Sequence, residues 1–516
     1  MTEKALVITV PIVATEYNSE QGVVPYGPAV VSGILTANGF DSTTWDLNID
    51  LFRKFEADWP TIVDMFATRG YRPDLSKNVN VKKILSQTRK YLKNKLNSIK
   101  PDVVLLSVFS SHSLDFLIPL SVMIKELKED CYVMAGGRGF DNTDRQSQLN
   151  YADLYSGYLP IDCIYRGDAE NEMISAIKQR YKGVYHAAPV SAEVLESIPR
   201  PSWKGYDFDK YKGYETKNIR FPITGSKGCV RDCTFCDVKE SWPKFVYRKG
   251  EDIAREIIDT YHESGIYKYE FTDNLVNGSI SNFRTMNTVI ANELPNTIDY
   301  LGYAICRSKQ SMPAEDFKLA ATAGAKLFKI GIESGSEKVR NDMKKKFSND
   351  DIAWFAENCA DNNIKQVWLM FVGYPTETEE DFQASIELLK QHQHLAKAGL
   401  VEVFLSFPMM LTTGSGFMRS YASEYGLEHN QYDSWSDFFW TSTKFKDNNF
   451  EVRANRWRRF VEAIDTYGFQ GKTQRQQEKF RDLEGIEKIY AEYSKDAKKV
   501  IPIANGVFNI NKETHL

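Results

Sequence analysis

Apolar runs alternate with amphipathic stretches along the N-terminal part of the chain. The near-continuous apolar run 101–110 is typical of a parallel strand that is buried on both faces. Other strands are predicted at 5–10, 42–47 and 161–165, and the stretch 131–139 is predicted to be a strand that ends in a glycine turn. Helices are predicted at 25–39, 55–98 and 111–128. This alternation predicts an α/β fold built on a doubly wound parallel sheet, in which ligands bind beyond the carboxyl ends of the strands.

A second series of strands and helices occupies the middle of the chain. Six strand candidates recur at regular intervals, at 221–226, 267–272, 300–305, 326–332, 365–372 and 401–407. The segments between them have helical patterns, at 250–264, 279–293, 314–323, 349–362 and 377–392. Because eight such units close a barrel, six predict a partial (β/α)6 barrel of the TIM type, with its chemistry at the carboxyl ends of the strands.

The proline-punctuated stretch 195–203 separates these two series, because proline disfavours both helices and central strands. The predicted domains are a first domain at 1–195, a linker at 196–217, a barrel core at 218–410 and a mostly helical C-terminal region at 411–516. In that last region, helices are predicted near 450–466 and 473–496.

The composition limits the classes of partner. The net charge of −4 gives no reason to expect binding to nucleic acid or to an acidic membrane surface. The N-terminal apolar run is interrupted by Pro11 and lacks a clearly basic flank, and no apolar run reaches the roughly 18 residues of a membrane span. We therefore expect a cytoplasmic protein that contacts neither nucleic acid nor membrane.

Three cysteines, Cys229, Cys233 and Cys236, lie in one short loop at C-x3-C-x2-C spacing. Thiolates on one loop can all bind one iron–sulfur centre, and three ligands leave one iron of a four-iron cluster open. A zinc site would require a fourth Cys or His nearby, and the nearest histidines are His186 and His262. Packed structural cysteines are the other alternative.

This loop, which follows Thr224-Gly-Ser-Lys-Gly and has Phe235 before its last cysteine, closely resembles the cluster motif of the radical S-adenosylmethionine (radical SAM) superfamily. The resemblance implies that the three cysteines hold a 4Fe-4S cluster, and that the methionine amine and carboxylate of SAM bind the open iron. It also implies that SAM is cleaved reductively to a 5′-deoxyadenosyl radical, which removes a hydrogen from an unactivated carbon. An iron–sulfur cluster requires a reducing compartment.

Polar residues after the second and third barrel strands are candidates for SAM binding. Asp273 and Asn274 stand where relatives often carry a motif that binds the methionine amine. The alternative for Asp273 is a turn residue at the end of a strand. Arg307 suits bidentate binding of a carboxylate, and a place on the surface is its alternative.

Two further segments closely resemble superfamily motifs. The segment Gly-Ile-Glu-Ser-Gly contains Glu333 and Ser334, which the resemblance places near SAM. After the fifth strand, Gly373 and Pro375 shape a tight turn that in relatives lies against the adenine or ribose. A threonine after this turn, Thr376 or Thr378, is predicted to cap the next helix.

The first domain is Rossmann-like and resembles the cobalamin-binding domain that precedes many radical SAM cores. Its residues Ser107, Ser110, Gly136 and Gly137 would line the cobalamin face. The Asp-x-His-x-x-Gly motif that supplies a cobalt-binding histidine in some cobalamin proteins is absent. Cobalamin binding without that histidine, and a domain used only for packing or substrate binding, therefore both remain open.

The resemblance leaves two kinds of reaction open. One is cobalamin-dependent methyl transfer to an unactivated carbon. The other is a rearrangement, cyclisation or oxidation without methyl transfer. In either case we expect a small-molecule or natural-product-type substrate and an electron donor such as flavodoxin or ferredoxin.

Two basic clusters are interpreted as solvated surfaces. One is Lys344–Lys346, and the other consists of Arg453, Arg456, Arg458 and Arg459 in the C-terminal region.

Overall fold

The computed structural model describes residues 2–12, 24–59, 79–110, 113–141, 149–412, 414–430, 435–469 and 484–491. These residues divide into two compact units, on either side of the bond between Pro222 and Ile223. We call them the first and the second unit and describe each by itself. No helix in the described part of the chain is long and apolar enough to span a membrane.

The first unit contains a six-stranded parallel sheet in the order β2-β1-β3-β4-β5-β6. Its strands are β1 (Lys4–Thr9), β2 (Asp41–Asp46), β3 (Val103–Ser107), β4 (Tyr132–Gly136), β5 (Cys163–Arg166) and β6 (Gly183–His186). Its helices are α1 (Tyr26–Ala37), α2 (Leu47–Lys54), α3 (Val79–Ile99), α4 (Leu114–Leu127), α5 (Tyr151–Ser156), α6 (Met173–Lys178) and α7 (Ala192–Glu196). This order confirms the Rossmann-like fold predicted from the alternation of strands and helices.

Five elements of this unit were not predicted from the sequence: strand β6 and the helices α2, α5, α6 and α7. Strand β6 is only four residues long and none of them is buried, so it lacks the apolar run by which the other strands are recognised. Helix α2 begins directly at the end of β2, where a strand end was expected. Asp46 caps this helix by accepting a hydrogen bond from the backbone N–H of Ile49. Much of the predicted helix 55–98 is α3, and residues 60–78 lie outside the described residues.

The stretch predicted as a linker packs on the first unit. Thr44 of β2 donates its hydroxyl hydrogen to the carbonyl of Lys204 at 2.6 Å, and Tyr211 donates its phenol hydrogen to buried Asp46. The division between the compact units falls at Pro222, whereas the predicted core begins at 218. The predicted domain boundaries themselves stay a prediction.

The second unit contains the predicted β/α series. Its six main strands are β7 (Arg220–Ile223), β10 (Lys268–Phe271), β11 (Asp299–Ala304), β12 (Ala325–Glu333), β13 (Lys365–Met370) and β14 (Val401–Leu405). A short pair, β8 (Ser226–Lys227) and β9 (Val246–Tyr247), flanks the cysteine loop. Neighbours in the sheet follow chain order, β14-β13-β12-β11-β10-β7, and β10 to β14 pair in parallel. This arrangement confirms the predicted partial (β/α)6 barrel.

Helices connect these strands. They are α8 (Val238–Ser241), α9 (Gly250–Ser264), α10 (Ile280–Glu293), α11 (Ala314–Ala323), α12 (Glu337–Asp342), α13 (Asn349–Asp361), α14 (Glu379–Gln391) and α15 (Gln393–Lys397). Five of them lie close to the predicted positions, whereas the short helices α8, α12 and α15 were not predicted. Thr378 caps α14 in a capping box with Asp381, which places a rigid helix start directly after the turn that contains Gly373 and Pro375.

The C-terminal region is mostly helical, as predicted. It contains α16 (Gly416–Tyr425), α17 (Ser436–Phe439), α18 (Phe450–Tyr467) and a short antiparallel pair, β15 (Leu427–Glu428) and β16 (Thr441–Ser442). Helix α18 matches the helix predicted at 450–466. Of the helix predicted at 473–496, residues 484–491 are helical and the rest lie outside the described residues.

Candidate active site

The cysteine loop follows the first barrel strand, at its carboxyl end. All seven cysteines fall within the described residues and are free thiols, but only Cys229, Cys233 and Cys236 are partly exposed, whereas the other four are buried. Gly228 begins the loop with a φ of +80°, and a Cβ there would lie 2.4 Å from the carbonyl oxygen of Lys244. Only glycine fits such a position without strain, so the backbone itself fixes how the loop leaves the strand.

The three thiols influence one another electrostatically. Burial is the main cause that raises the pKa of the Cys233 thiol to about 11; Lys345 acts against this rise, and the nearby thiols of Cys236 and Cys229 add to it. In the described part of the chain, no three metal-binding side chains converge closely enough to hold a single metal ion. A 4Fe-4S cluster does not require such convergence, because each thiolate binds a different iron. Three accessible thiols on one loop therefore fit a cluster.

Lys345 and Glu333 form a buried ion pair beside this loop. Their Nζ and Oε1 atoms are 2.8 Å apart. Burial lowers the pKa of Lys345, but Glu333 and Cys233 outweigh it, and the net shift is upward. The lysine also lies 5.6 Å from the ring centre of Phe235 in the cysteine loop. The expected solvated surface at Lys344–Lys346 is thus wrong for Lys345, which is 8% exposed.

Backbone geometry explains this placement of the ion pair. Glu333 has a φ of +66°, a left-handed conformation that is uncommon for a residue with a side chain, and the β12–β13 register shifts between Gly331 and Glu333. A Cβ at Gly331 would lie 2.3 Å from Glu333 Oε1. The neighbouring Ser334 is buried, and its hydroxyl contacts Ser385 at 3.3 Å and accepts the N–H of Ser336 at 3.2 Å.

Asp273 fastens the end of β10 to the strand that leads into the cysteine loop. One carboxylate oxygen accepts the N–H of Gly225 at 2.7 Å, and the other accepts the hydroxyl of Ser226 at 2.6 Å. Burial raises the pKa of Asp273 to about 6, while the bonds from Ser226 and Gly225 act in the opposite direction. Asn274 follows it and is half-buried. Both oxygens of Asp273 are thus already engaged within the protein.

Arg307 lies near a second arginine that the sequence analysis did not identify. Its Nη2 donates to the carbonyls of Asn277 at 2.8 Å and Gly278 at 2.6 Å. Burial lowers the pKa of Arg307, and the positive charge of Arg231 lowers it further. The backbone N–H of Arg231 donates to Cys229 Sγ at 3.3 Å. The buried Nε atoms of both arginines find no hydrogen-bond partner among the described residues.

Within the described part of the chain, these two Nε atoms are therefore donors without an acceptor. A half-buried cationic pair of this kind fits a carboxylate ligand, since guanidinium donors match a carboxylate in geometry and charge. Arg231 had a sequence signal that was not used, because it lies between the first two cysteines of the motif.

The turn after β13 contacts the cysteine loop directly. Gly373 has a φ of +88°, as the predicted tight turn requires. The hydroxyl of Tyr374, between Gly373 and Pro375, hydrogen-bonds the hydroxyl of Thr234 at 2.8 Å and that of Tyr425 in α16 at 3.0 Å. The turn, the cysteine loop and the C-terminal region thus share one hydrogen-bonded group.

The C-terminal region also contacts the loop by charge. The backbone N–H of Gly416, at the start of α16, donates to Asp237 at 2.9 Å, and Arg419 pairs with Glu240 of α8. The expectation that the arginines of α18 form a solvated face is wrong for Arg453 and Arg456, which are 0% and 4% exposed. Arg458 and Arg459 are partly exposed and pair with glutamates.

In the first unit, the candidate residues lie at the carboxyl ends of β3 and β4. Ser107 pairs in register with Thr9 of β1 and with Gly136 of β4, and the sheet order changes direction between β1 and β3. Ligands of doubly wound sheets bind at such a point. Gly137 has a φ of +120°, and a Cβ there would lie 2.4 Å from the carbonyl oxygen of Val108. Gly137 therefore lets the loop after β3 pack closely on β4.

Two hydroxyls in the segment after β3 have no hydrogen-bond partner among the described residues. Ser110 Oγ and Ser113 Oγ are buried, and neither finds a hydrogen-bond partner within the described residues. Ser111, between them in sequence, lies outside the described residues. Buried polar atoms are normally satisfied, so these hydroxyls fit a site that receives polar atoms of a ligand.

Comparisons with known proteins agree with this geometry. Residues 223–389 match the family model of the radical SAM superfamily. Among curated relatives, cytidylyl-2-hydroxyethylphosphonate methyltransferase of Streptomyces wedmorensis is 27% identical over 162 residues, which are 30% of this chain and 29% of that protein. The probable threonylcarbamoyladenosine tRNA methylthiotransferase of Methanocaldococcus jannaschii is 23% identical over 44% of this chain and 62% of that protein. The chain thus spans less than two thirds of either relative.

Among solved structures, the radical SAM methyltransferase TsrM of Kitasatospora setae, with tryptophan substrate and a SAM analogue bound, matches with a TM-score of 0.58. It is 16% identical, and the match covers 84% of this chain and 79% of that one. A second structure of the same protein, with cobalamin and a 4Fe-4S cluster bound, matches with a TM-score of 0.54. The chain therefore combines a core that matches the radical SAM family model with three accessible thiols and a fold shared with TsrM.

Proposed function

We propose that this enzyme cleaves SAM reductively at a 4Fe-4S cluster and uses cobalamin to methylate an unactivated carbon of a small molecule. The observation that carries this proposal is the set of three accessible thiols at the carboxyl end of the first barrel strand, where barrel enzymes place their chemistry. Cys229, Cys233 and Cys236 would bind the cluster. When bound, the cluster and SAM supply an electron and a 5′-deoxyadenosyl radical, and cobalamin supplies the methyl group.

The chain's own residues would bind and orient SAM around this loop. Arg307 and Arg231 supply unpartnered donors near Cys229, so we assign the methionine carboxylate to them. Glu333 is the nearby carboxylate for the cationic part of SAM, with Lys345 keeping it in place. The turn Gly373–Pro375 would contact the nucleoside.

Asp273 and Ser334 are proposed to support the site and not to bind SAM themselves, whereas Asn274 remains a candidate for binding SAM. Both oxygens of Asp273 already hold the strand before the cysteine loop, and the Ser334 hydroxyl is engaged with Ser385 and Ser336. We therefore propose that Asp273 and Ser334 shape the site and that half-buried Asn274 is the member of this group free to reach SAM. Their predicted contacts with SAM stay predictions.

The cobalamin part of the proposal rests on the first unit. Its fold is included in the match to TsrM, one structure of which contains cobalamin. The unpartnered hydroxyls of Ser110 and Ser113 lie after β3, at the strand ends where Ser107, Gly136 and Gly137 were predicted to line the cobalamin face. They would donate to polar groups of the corrin. An external one-electron donor such as flavodoxin or ferredoxin would reduce the cluster.

The test is to isolate the protein anaerobically with cobalamin supplied, then to add SAM that carries a labelled methyl group under reducing conditions. We expect corrin absorbance in the purified protein and labelled methyl on the bound corrin. Corrin without label would favour a rearrangement, cyclisation or oxidation. No corrin absorbance would overturn the cobalamin part of the proposal.

A separate assay addresses the substrate class. A small-molecule substrate predicts that SAM consumption is stimulated by extracts from which nucleic acid has been removed. Stimulation by purified tRNA alone would contradict both the small-molecule proposal and the expectation that no nucleic acid is bound.

A further inference from the structure

Side chains of the C-terminal region hold the turn Gly373–Pro375 from several directions. The segment that supplies them begins at Asn448 and continues into helix α18. Arg453 and Arg456 of this helix are buried, although a helix of this composition ordinarily exposes its arginines. Arg453 contacts the turn directly, and Arg456 is connected to it through Glu377.

The carbonyl groups of the turn are bound by one amide. Asn448 Nδ2 donates to the carbonyl oxygen of Tyr374 at 2.7 Å and to that of Pro375 at 3.2 Å. Asn448 is itself buried, 4% exposed. Since Pro375 has no N–H, these carbonyls are the polar groups through which the second half of the turn can be held.

The backbone N–H of the turn is bound by a carboxylate that Arg456 secures. Gly373 N–H donates to Glu377 Oε2 at 2.9 Å. Arg456 Nη1 donates to the same oxygen at 3.2 Å and to the carbonyl of Glu377 at 3.0 Å. Burial raises the pKa of Glu377 to about 7, and the charge of Arg456 acts against that rise. The ion pair therefore favours the ionised acceptor.

Arg453 of α18 also packs against the turn. Its aliphatic stem fills the space beside Gly373, where a Cβ would lie 2.4 Å from Arg453 Cδ. Its guanidinium donates to the carbonyls of Asn448, Phe438 and Trp440 and lies 3.7 Å from the ring centre of Trp440. It thus fixes the segment from which Asn448 reaches the turn.

We propose that Arg456 is a positioning residue for SAM, acting through Glu377 on the turn that contacts the nucleoside. The inference rests on the proposed function, in which this turn binds the adenosine part of SAM. Sites held by a well-packed supporting layer keep the precise geometry that binding requires. The C-terminal region would then contribute to cofactor affinity, besides any part in choosing the substrate.

The experiment compares Arg456→Met with Arg459→Met in the full chain carrying a reconstituted cluster. Both changes remove a guanidinium from the same helix, but Arg459 pairs with partly exposed Glu379 and not with Glu377. We measure SAM affinity by anaerobic equilibrium dialysis, together with iron content and the cluster EPR signal without SAM. We expect Arg456→Met to weaken SAM binding roughly 10-fold, as loss of a supporting residue typically does, with iron content and the SAM-free signal unchanged.

Arg456→Lys should restore most of the affinity, because a lysine can still pair with Glu377. If Arg456→Met does not fold, Glu377→Gln tests the same contact with almost no change of shape. Wild-type affinity in either variant, or equal losses in Arg456→Met and Arg459→Met, would overturn the inference while leaving the proposed function intact. Failure of the wild-type protein to bind SAM would instead overturn the proposed function.

Discussion

The carboxyl ends of the two parallel sheets differ in how their polar groups are satisfied. At the barrel strands, most of the site's polar side chains have partners: Glu333 binds Lys345, Tyr374 binds Thr234, and Glu377 binds Arg456. The exceptions among the described residues of this site are the Nε atoms of Arg231 and Arg307. In the first unit, the buried hydroxyls of Ser110 and Ser113 have no partner among the described residues.

The difference shows which polar groups of each unit are paired within the protein and which are left to bind a ligand. Interlocked charges around the cysteine loop pre-organise a site for groups that must be held in fixed orientation. The unpartnered hydroxyls instead retain their hydrogen-bonding capacity for a ligand. If this comparison is right, substitutions at the barrel site should cost more than substitutions of the unpartnered serines. The predictions that follow run from the largest expected effect to the smallest.

The largest effect is expected for Cys233→Ala. Removal of one of three cluster ligands should abolish stable iron binding, since the remaining two thiolates cannot hold the cluster. Iron and sulfide content after anaerobic reconstitution measure this directly. Cys131→Ala, which removes a buried thiol of the first unit, is the matched control and should retain the wild-type iron content. Full iron content in Cys233→Ala would refute the ligand assignment.

Next in size is Lys345→Met. It leaves Glu333 buried without its partner, and breaking a buried ion pair on one side costs about 4 kcal/mol of unfolding free energy. Urea denaturation of the iron-free chain checks this cost. Exposed Lys346→Met should change stability very little. The double variant Lys345→Met/Glu333→Gln should recover part of the loss, and if it were no more stable than Lys345→Met, the pair would not be the cause.

A pH effect in the first unit is expected to be slightly smaller. Burial raises the pKa of Asp46 from 3.8 to about 6, against the lowering effect of the Tyr211 hydroxyl, and Asp50 adds to the rise. Between these values the folded chain holds more protons than the unfolded chain, so stability falls as pH rises from 4 to 6. Over its complete titration this one group contributes a fall of about 3 kcal/mol, of which about 2 kcal/mol lies between pH 4 and pH 6.

Asp46→Asn should remove this contribution, so that the denaturation midpoint in urea declines less between these two pH values. Exposed Asp153→Asn provides the control and should decline as the wild type does. Identical pH profiles for Asp46→Asn and the wild type would show that Asp46 is not the group responsible.

The smallest effect is expected for Ser113→Ala. Because its buried hydroxyl has no protein partner in the described chain, removal should change the unfolding free energy by less than about 0.5 kcal/mol. Ser336→Ala is the comparison in the second unit. Its hydroxyl donates to Asp381 at 2.7 Å and caps α12, so its loss should cost about 1 kcal/mol. A larger cost at Ser113 than at Ser336 would contradict the comparison between the two units.

Most strands of the two sheets were predictable because their signals are local, whereas β6, which has no buried residue, was not. Apolar runs and the turn residues after them identify each strand of the barrel, and β12 and β13 begin within a residue of the predicted positions. The motif Gly-Ile-Glu-Ser-Gly likewise located Glu333, although its left-handed backbone conformation and its ion pair were not apparent.

Burial of charged residues was not predictable, because it depends on what packs over them. Lys344 and Lys346 both have positive φ values, so the chain turns at each of them and directs only Lys345 inward, which three consecutive lysines do not reveal. Arg453 and Arg456 are buried because the turn Gly373–Pro375, far away in sequence, packs against α18. Arg307 and Arg231 lie near each other because folding brings together two loops that are far apart in sequence.

The most direct test of the radical SAM chemistry is formation of 5′-deoxyadenosine from SAM. The wild-type protein, reconstituted anaerobically with iron and sulfide and reduced with dithionite, should release 5′-deoxyadenosine over many minutes, while Cys233→Ala should release none. Absence of this product from a wild-type protein that contains its full cluster, or equal release by Cys233→Ala, would contradict the account.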